Sequence, residues 1–204
     1  MKRWASKQAG TPRPINSRHW RRGYSSIMRD IHETAKNGAS LTIPVVRSFE
    51  PMTYLAIAVE CAMADLPQAA PSAFPRLHRW CEDHGVELGE GLFRYFHFTA
   101  DGRTLVHVAN LVDRTVAIDD DAEIITGEMA GGDYAVAVHT GPYDLLYDST
   151  VMMDGWLSGR NLAKDERRSA QQFEPACQVE IYRNGPWSEP NPAAWETELR
   201  MKLA

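Results

Sequence analysis

Late in the chain the sequence runs Cys177-Gln-Val-Glu180-Ile-Tyr182-Arg-Asn184-Gly-Pro186. Strand alternation sends Val179 and Ile181 to one face and Gln178, Glu180 and Tyr182 to the other. If the aliphatic face meets a helix, Glu180 and Tyr182 look into a cleft. A carboxylate there, among aromatic rings, attracts cations or serves as a general acid or base with a raised pKa. From alternation alone, a Glu on a solvent-facing sheet surface is the better reading. A second segment, Arg94-Tyr95-Phe96-His97-Phe98, alternates in the same way and is expected to put Tyr95 and His97 on one face. Aromatic rings of this kind stack on flat ligands and bind cations through their negative faces.

A third segment supplies a corner: Tyr134-Ala-Val-Ala-Val-His139-Thr-Gly141-Pro142-Tyr143. A strand ends at His139, Gly141 allows a sharp turn, and Pro142 presets the first helical dihedral. The unpaired N–H groups of the new helix make a modest positive site with Tyr143 beside it. His139 reads as a hydrogen-bonding residue of the corner rather than a catalyst.

Elements must position these groups. Short alternating runs rich in Val, Ile, Tyr and Phe predict strands near 45–49, 54–60, 92–98, 104–112, 122–128, 134–140, 176–183 and 196–203. Ser72–His84 and Tyr143–Ser158 place apolar residues at helical spacing, each behind a Pro and ahead of a Gly. The order strand, strand, helix, strand, strand thus occurs twice. Ala56-Ile-Ala-Val-Glu60 echoes as Ala135-Val-Ala-Val-His139, and the helices carry Trp80 and Trp156. An α+β fold of two pseudo-symmetric strand-helix-strand-strand modules follows, over about 44–118 and 119–204, with a ligand cleft between them.

Charge divides the chain near residue 44. Residues 1–43 carry 9 Lys/Arg against 2 acids, and residues 44–204 carry 13 against 25. The first part reads as a basic, flexible leader, while the acidic body disfavours nucleic acid as its main ligand. No run reaches the ~18 apolar residues of a membrane helix, and no export signal follows the basic start, so a cytoplasmic protein without a membrane partner is expected. Cys61, Cys81 and Cys177 are odd in number and never form CxxC, which argues against disulfides and a zinc site. No metal and no cofactor is expected.

The HxGPY corner (His139, Gly141, Pro142, Tyr143), the helical Trp156-Leu157, the VEIYRNGP strand and turn, and the closing Thr197-Glu-Leu-Arg-Met segment together resemble the GyrI-like small-molecule-binding family. That family also supplies effector-binding halves of AraC-type and MerR-type regulators. The resemblance spans about 44–204 and is weaker in the first half, where Glu60-Cys-Ala-Met-Ala-Asp lacks a GPY. It implies a pocket for lipophilic, often cationic compounds with Glu180 at its centre and Tyr182, Tyr143, Tyr95, His97 and Trp156 around it. No DNA-binding module is recognisable in the leader, so a stand-alone binding protein is expected. The resemblance also implies an alternative, a hydrolase of cyclopropane-bearing genotoxins with Glu180 as base and Tyr182 or another Tyr as donor. GxSxG, HExxH and phosphate-binding glycine loops do not occur. A protein inhibitor of a DNA enzyme is a third alternative.

Overall fold

The computed structural model describes residues 38–118 and 123–204. The leader expected over 1–43 lies outside the described residues as far as residue 37, and the folded unit runs from Gly38 to Ala204. Its elements are β1 (Ser40–Leu41), β2 (Val45–Phe49), β3 (Met52–Ala62), a short α1 (Leu66–Ala69), α2 (Ala73–Asp83), β4 (Gly91–Thr99), β5 (Arg103–Leu111) and β6 (Ile125–Met129). The second half adds β7 (Gly132–Thr140), α3 (Leu146–Gly159), β8 (Glu166–Arg168), β9 (Gln172–Pro175), β10 (Gln178–Tyr182) and β11 (Glu196–Lys202).

The helices stop for local reasons. At the end of α2, Gly85 takes φ +62° while Val86 N–H bonds Cys81 C=O and Gly85 N–H bonds Glu82 C=O. This is the paired closure that satisfies the last carbonyls of a helix. α3 closes in the same way, with Leu162 N–H on Leu157 C=O, but the left-handed residue is Asn161 at φ 54°. Asn tolerates that conformation, so α3 runs to Gly159 before it ends.

All strands join one antiparallel sheet. Its main path runs β1–β7–β11–β10–β4–β5–β3–β6. The central pair, β4 and β10, separates β4–β5–β3 from β10–β11–β7, which are two copies of one unit related by a pseudo-two-fold. The α+β duplication expected from the element order is therefore present. Its register, however, differs from the sequence echo. Ala62 and Pro142 precede the two corners with nearly the same backbone, φ −66°, ψ 143° and φ −61°, ψ 147°. That match equates Ala56 with Val136, both in one core cluster, whereas the echo aligned Ala56 with Ala135, whose side chains point to opposite faces. A period of two makes a one-residue slip invert every side chain.

One face of the sheet carries both helices. There Leu55, Ile57, Val106, Val108, Ala135, Ala137 and Leu199 meet Leu77 and Cys81 of α2 and Met153 and Leu157 of α3. The other face holds a second core of Tyr54, Ala56, Leu92, Ala109, Met129, Tyr134, Val136, Val179 and Ile181. The sheet curls around this second core because of a strand exchange. β2 pairs with β7 although it leads directly into β3, and β6 pairs with β3 although it leads directly into β7. Each link, Glu50-Pro51 or Ala130-Gly131, is two residues long, so the two ends of the sheet are drawn together. Phe49 meets Tyr134 there edge to face at 5.7 Å. Arg94 crosses the same concave face, donating to Tyr54 Oη at 3.0 Å, and Tyr54 in turn lies 3.0 Å from His107 Nδ1.

Candidate functional site

α2 packs over β3 and β5, and α3 over β7, which leaves β4 and β10 as the floor of a trough between the helices. Cross-strand partners share a face, so the register of β4 and β10 decides what lines it. Glu180 stands opposite Phe93, Tyr182 opposite Gly91, and Gln178 opposite Tyr95. Phe93, Tyr95 and Tyr182 all belong to the core cluster on the helix side. Glu180 therefore lies on the face that bears the helices, while Val179 and Ile181 face away into the second core. This reverses the condition set from the sequence, in which the aliphatic face would meet a helix. Carried through the strand pairings, the pseudo-two-fold exchanges Tyr95 with Tyr182 and Phe93 with Glu180. An acid thus stands where the other module has a Phe.

Tyr182 Oη donates to Glu180 Oε2 at 2.9 Å. Burial raises the Glu180 pKa, and hydrogen bonding from Tyr182 and Tyr95 pulls it part of the way back. The phenols are shifted upward in turn. Desolvation and then the Glu180 charge hold Tyr95 and Tyr182 well above the usual tyrosine value, and the same two causes push Tyr143 up to about 12. All three remain proton donors at neutral pH. Glu180 as a residue is partly buried and the Tyr95 and Tyr182 side chains are buried, so the carboxylate stands between two covered rings.

The rings continue on the Tyr182 side. Phe93 meets Tyr182 edge to face at 5.2 Å, Tyr143 meets Tyr182 at 5.3 Å, and Trp195 lies 4.5 Å from Tyr143. Phe74 of α2 stacks on Phe93 at 5.9 Å. Tyr143 is fixed by the corner. Gly141 has φ +144°, and a Cβ there would stand 2.8 Å from Ala39 Cα, so the turn requires glycine. His139 is wholly buried, with Nδ1 2.8 Å from Ser149 Oγ of α3 and Nε2 3.2 Å from Pro142 C=O. It ties the strand end to the helix, as the sequence suggested. The Tyr143 hydroxyl donates to Asn184 C=O at 3.3 Å, and a Cβ on Gly185 would come within 2.4 Å of that hydroxyl. The Asn-Gly turn after β10 is thereby shaped to accept Tyr143.

Glu180, Tyr182, Tyr143 and Tyr95 are brought together, but His97 is turned away from them. A bulge at Phe96 shifts the register between Tyr95 and His97, so that His97 pairs with Leu105 and turns to the opposite face. His97 does not line the trough with Tyr95. Trp156 packs against the helix-side core from α3 with the Arg160 guanidinium 4.8 Å from its ring, and among the described residues no ring pair joins it to the Tyr143–Tyr182 stack. Phe93 and Trp195 were not singled out in the sequence. Phe93 shares Tyr95's alternation and was legible in principle, whereas Trp195 precedes its strand and carries no periodic signal. Among the described residues no group of three His, Cys, Asp or Glu side chains is placed to hold a metal ion. No helix of the described residues is long and apolar enough to cross a membrane.

The family model for the GyrI-like small-molecule-binding domain matches residues 44–204. Among solved structures, a chain of the EcmrR–DNA complex is similar at 14% identity and a TM-score of 0.61, over 91% of this chain and 66% of that one. This chain thus spans about two thirds of its length. The EcmrR C-terminal domain matches at 14% identity and a TM-score of 0.57, over 79% of this chain and 97% of the other. A hydrolase from Listeria innocua matches at 13% identity and a TM-score of 0.52, over 79% and 91%. At such identities the likeness is one of fold. No curated protein matches.

Proposed function

Because the chain belongs to the GyrI-like small-molecule-binding family, we propose that it binds flat, lipophilic cations in the trough between α2 and α3, with Glu180 as counter-charge. The observation that carries this reading is one carboxylate set among the rings of Phe93, Tyr95, Tyr182 and Tyr143, with no basic side chain reaching it among the described hydrogen bonds and ion pairs. A carboxylate that has lost much of its water and gained only phenol donors is under-compensated as an anion. A cation seated on the rings restores that loss, while the ring faces stack on its apolar body. Such a protein would sequester or sense its ligand, and broad selectivity is expected from a site built of rings.

The test is a titration with rhodamine-like and other planar cations. Micromolar binding is expected in wild type, with a loss of about tenfold or more in Glu180→Gln, the scale of a partly desolvated charge pair. Binding that ignores Glu180→Gln would refute the role given to the carboxylate.

A second reading is favoured by the Tyr182–Glu180 hydrogen bond. A carboxylate of raised pKa, next to phenols that stay protonated, can take a proton from water while a phenol polarises the electrophile. Opening of a strained cyclopropane would follow, with water adding to the ring carbon and the electron pair of the broken C–C bond collected by the conjugated acceptor. Turnover of a cyclopropane-bearing alkylator by wild type and none by Glu180→Ala would support it. Equal ring loss in both would remove it.

A further inference from the structure

The pseudo-two-fold shows what the first module does not supply. The symmetry that exchanges Tyr95 with Tyr182 carries Tyr143 onto Met63, because the two corners share one backbone. At the Tyr182 end the rings of Tyr143 and Trp195 form a wall. At the Tyr95 end the equivalent corner offers Met63, an aliphatic side chain that is 39% exposed.

Rings reach that end by another route. Phe98 stacks on Tyr95 at 5.3 Å, and Phe173 stacks on Phe98 at 5.5 Å. Phe98 lies on the Glu180 face because the bulge at Phe96 inverts the alternation beyond it. Phe173 shares that face because β9 pairs with the end of β4, with Phe173 directly opposite Phe98. The β8–β9 hairpin fills the chain between α3 and β10. Between α2 and β4, the matching stretch of the first module, no strand occurs. The second module thus builds a wall for the first module's end of the trough. The hairpin is held to α3 by Lys164, whose Nζ lies 2.8 Å from Asp154, 3.3 Å from Glu166 and 5.1 Å from the Phe173 ring centroid. Arg168 covers the same ring at 4.6 Å. Phe98 and Phe173 are half-buried, so both retain some exposed surface.

We propose that Phe173 is a specificity-determining residue and that the trough is a two-ended site. Its preferred ligand carries a flat ring system at each end, one against Tyr143 and Trp195 and the other against Phe98 and Phe173, with a positive charge between them at Glu180. This inference rests on the binding function proposed above and adds the shape of the ligand. A cation with a single ring system is served by the Tyr143 end and is indifferent to the hairpin.

A matched pair of fluorescent probes tests it: (naphthylmethyl)trimethylammonium, with one ring system, and bis(naphthylmethyl)dimethylammonium, with two around the same charge. Wild type is expected to bind the second about five- to tenfold more tightly than the first, the scale of one added aromatic contact. In Phe173→Ala that preference should fall to about twofold or less, while the affinity for the one-ring probe changes by less than about twofold. Phe173→Tyr should keep the preference, and Phe173→Leu, which retains apolar bulk, should lose most of it. Phe173→Leu serves as the decisive variant if Phe173→Ala does not fold. An equal effect of Phe173→Ala on both probes, or none on either, overturns the two-ended site. If both probes bind and both weaken in Glu180→Gln, that failure touches the hairpin alone. If neither binds wild type, the two-ended site and the binding function fall together.

Discussion

At Glu180, stability and the proposed recognition pull in opposite directions. Its pKa is raised by burial, so the folded protein holds this proton more tightly than the unfolded chain does. The sign follows directly: ionisation costs stability as pH rises from the ordinary carboxylate range through the raised value, and that cost is absent below both. Glu180→Gln is therefore expected to raise the melting temperature at pH 7 and to give little gain near pH 4, by calorimetry of the two proteins side by side. A gain of about 1 kcal/mol would move the midpoint by about 2–4 °C in a chain of this size. The same substitution is expected to weaken the proposed cation binding, a trade common where a site is built from an unfavourable charge. An acid alone on a strand was legible in the sequence, but its neighbours were legible only in part. Tyr182 and Tyr95 followed from alternation, whereas His97 did not, since one bulged residue at Phe96 reversed the faces beyond it.

Among the elements, the corner before α3 and the helix itself make contrasting predictions. Gly141→Ala places a Cβ 2.8 Å from Ala39 Cα at a φ that L-residues seldom adopt. We expect a loss of about 1–3 kcal/mol, together with a displaced Tyr143, seen as a lower denaturation midpoint and weaker ligand binding. Gly155, inside α3, has nothing within 4 Å of its Cβ position. Gly155→Ala should add about 0.5–1 kcal/mol of stability without touching the site, measured by denaturant unfolding. Both helices and the long strands could be read from the sequence because their apolar periods span several turns or alternations. The β8–β9 hairpin could not. Glu166-Arg-Arg and Gln172-Phe-Glu-Pro are too short and too charged to alternate, and they are held by pairing to the end of β4 and by Lys164 rather than by a hydrophobic face of their own.

For the molecule as a whole, acid tolerance is expected to depend in part on a network on the concave face, on the other side of the sheet from the trough. Burial and then the nearby Arg94 charge lower His107 to about 4 from 6.5. The unfolded chain therefore takes up this proton first, and stability falls as pH drops from about 6.5 toward 4. His107→Gln, which can still accept from Tyr54, is expected to flatten that slope in a series of midpoints between pH 7 and 4. An unchanged slope would assign acid sensitivity elsewhere. The duplication was legible at this scale from element order, but the exchange of β2 and β6 between the modules was not, because strand pairing across a chain leaves no local mark.

That exchange bears on how a guest molecule gets in. Two-residue tethers cross at the rim where the ends of the sheet approach, so among the described residues the twin lobes are stitched together there as well as along β4 and β10, which resists gaping like jaws. Adaptation to guests of different outline must then come from swivelling rings along the trough, and a crosslink between the lobes at that rim should leave uptake rates unaltered.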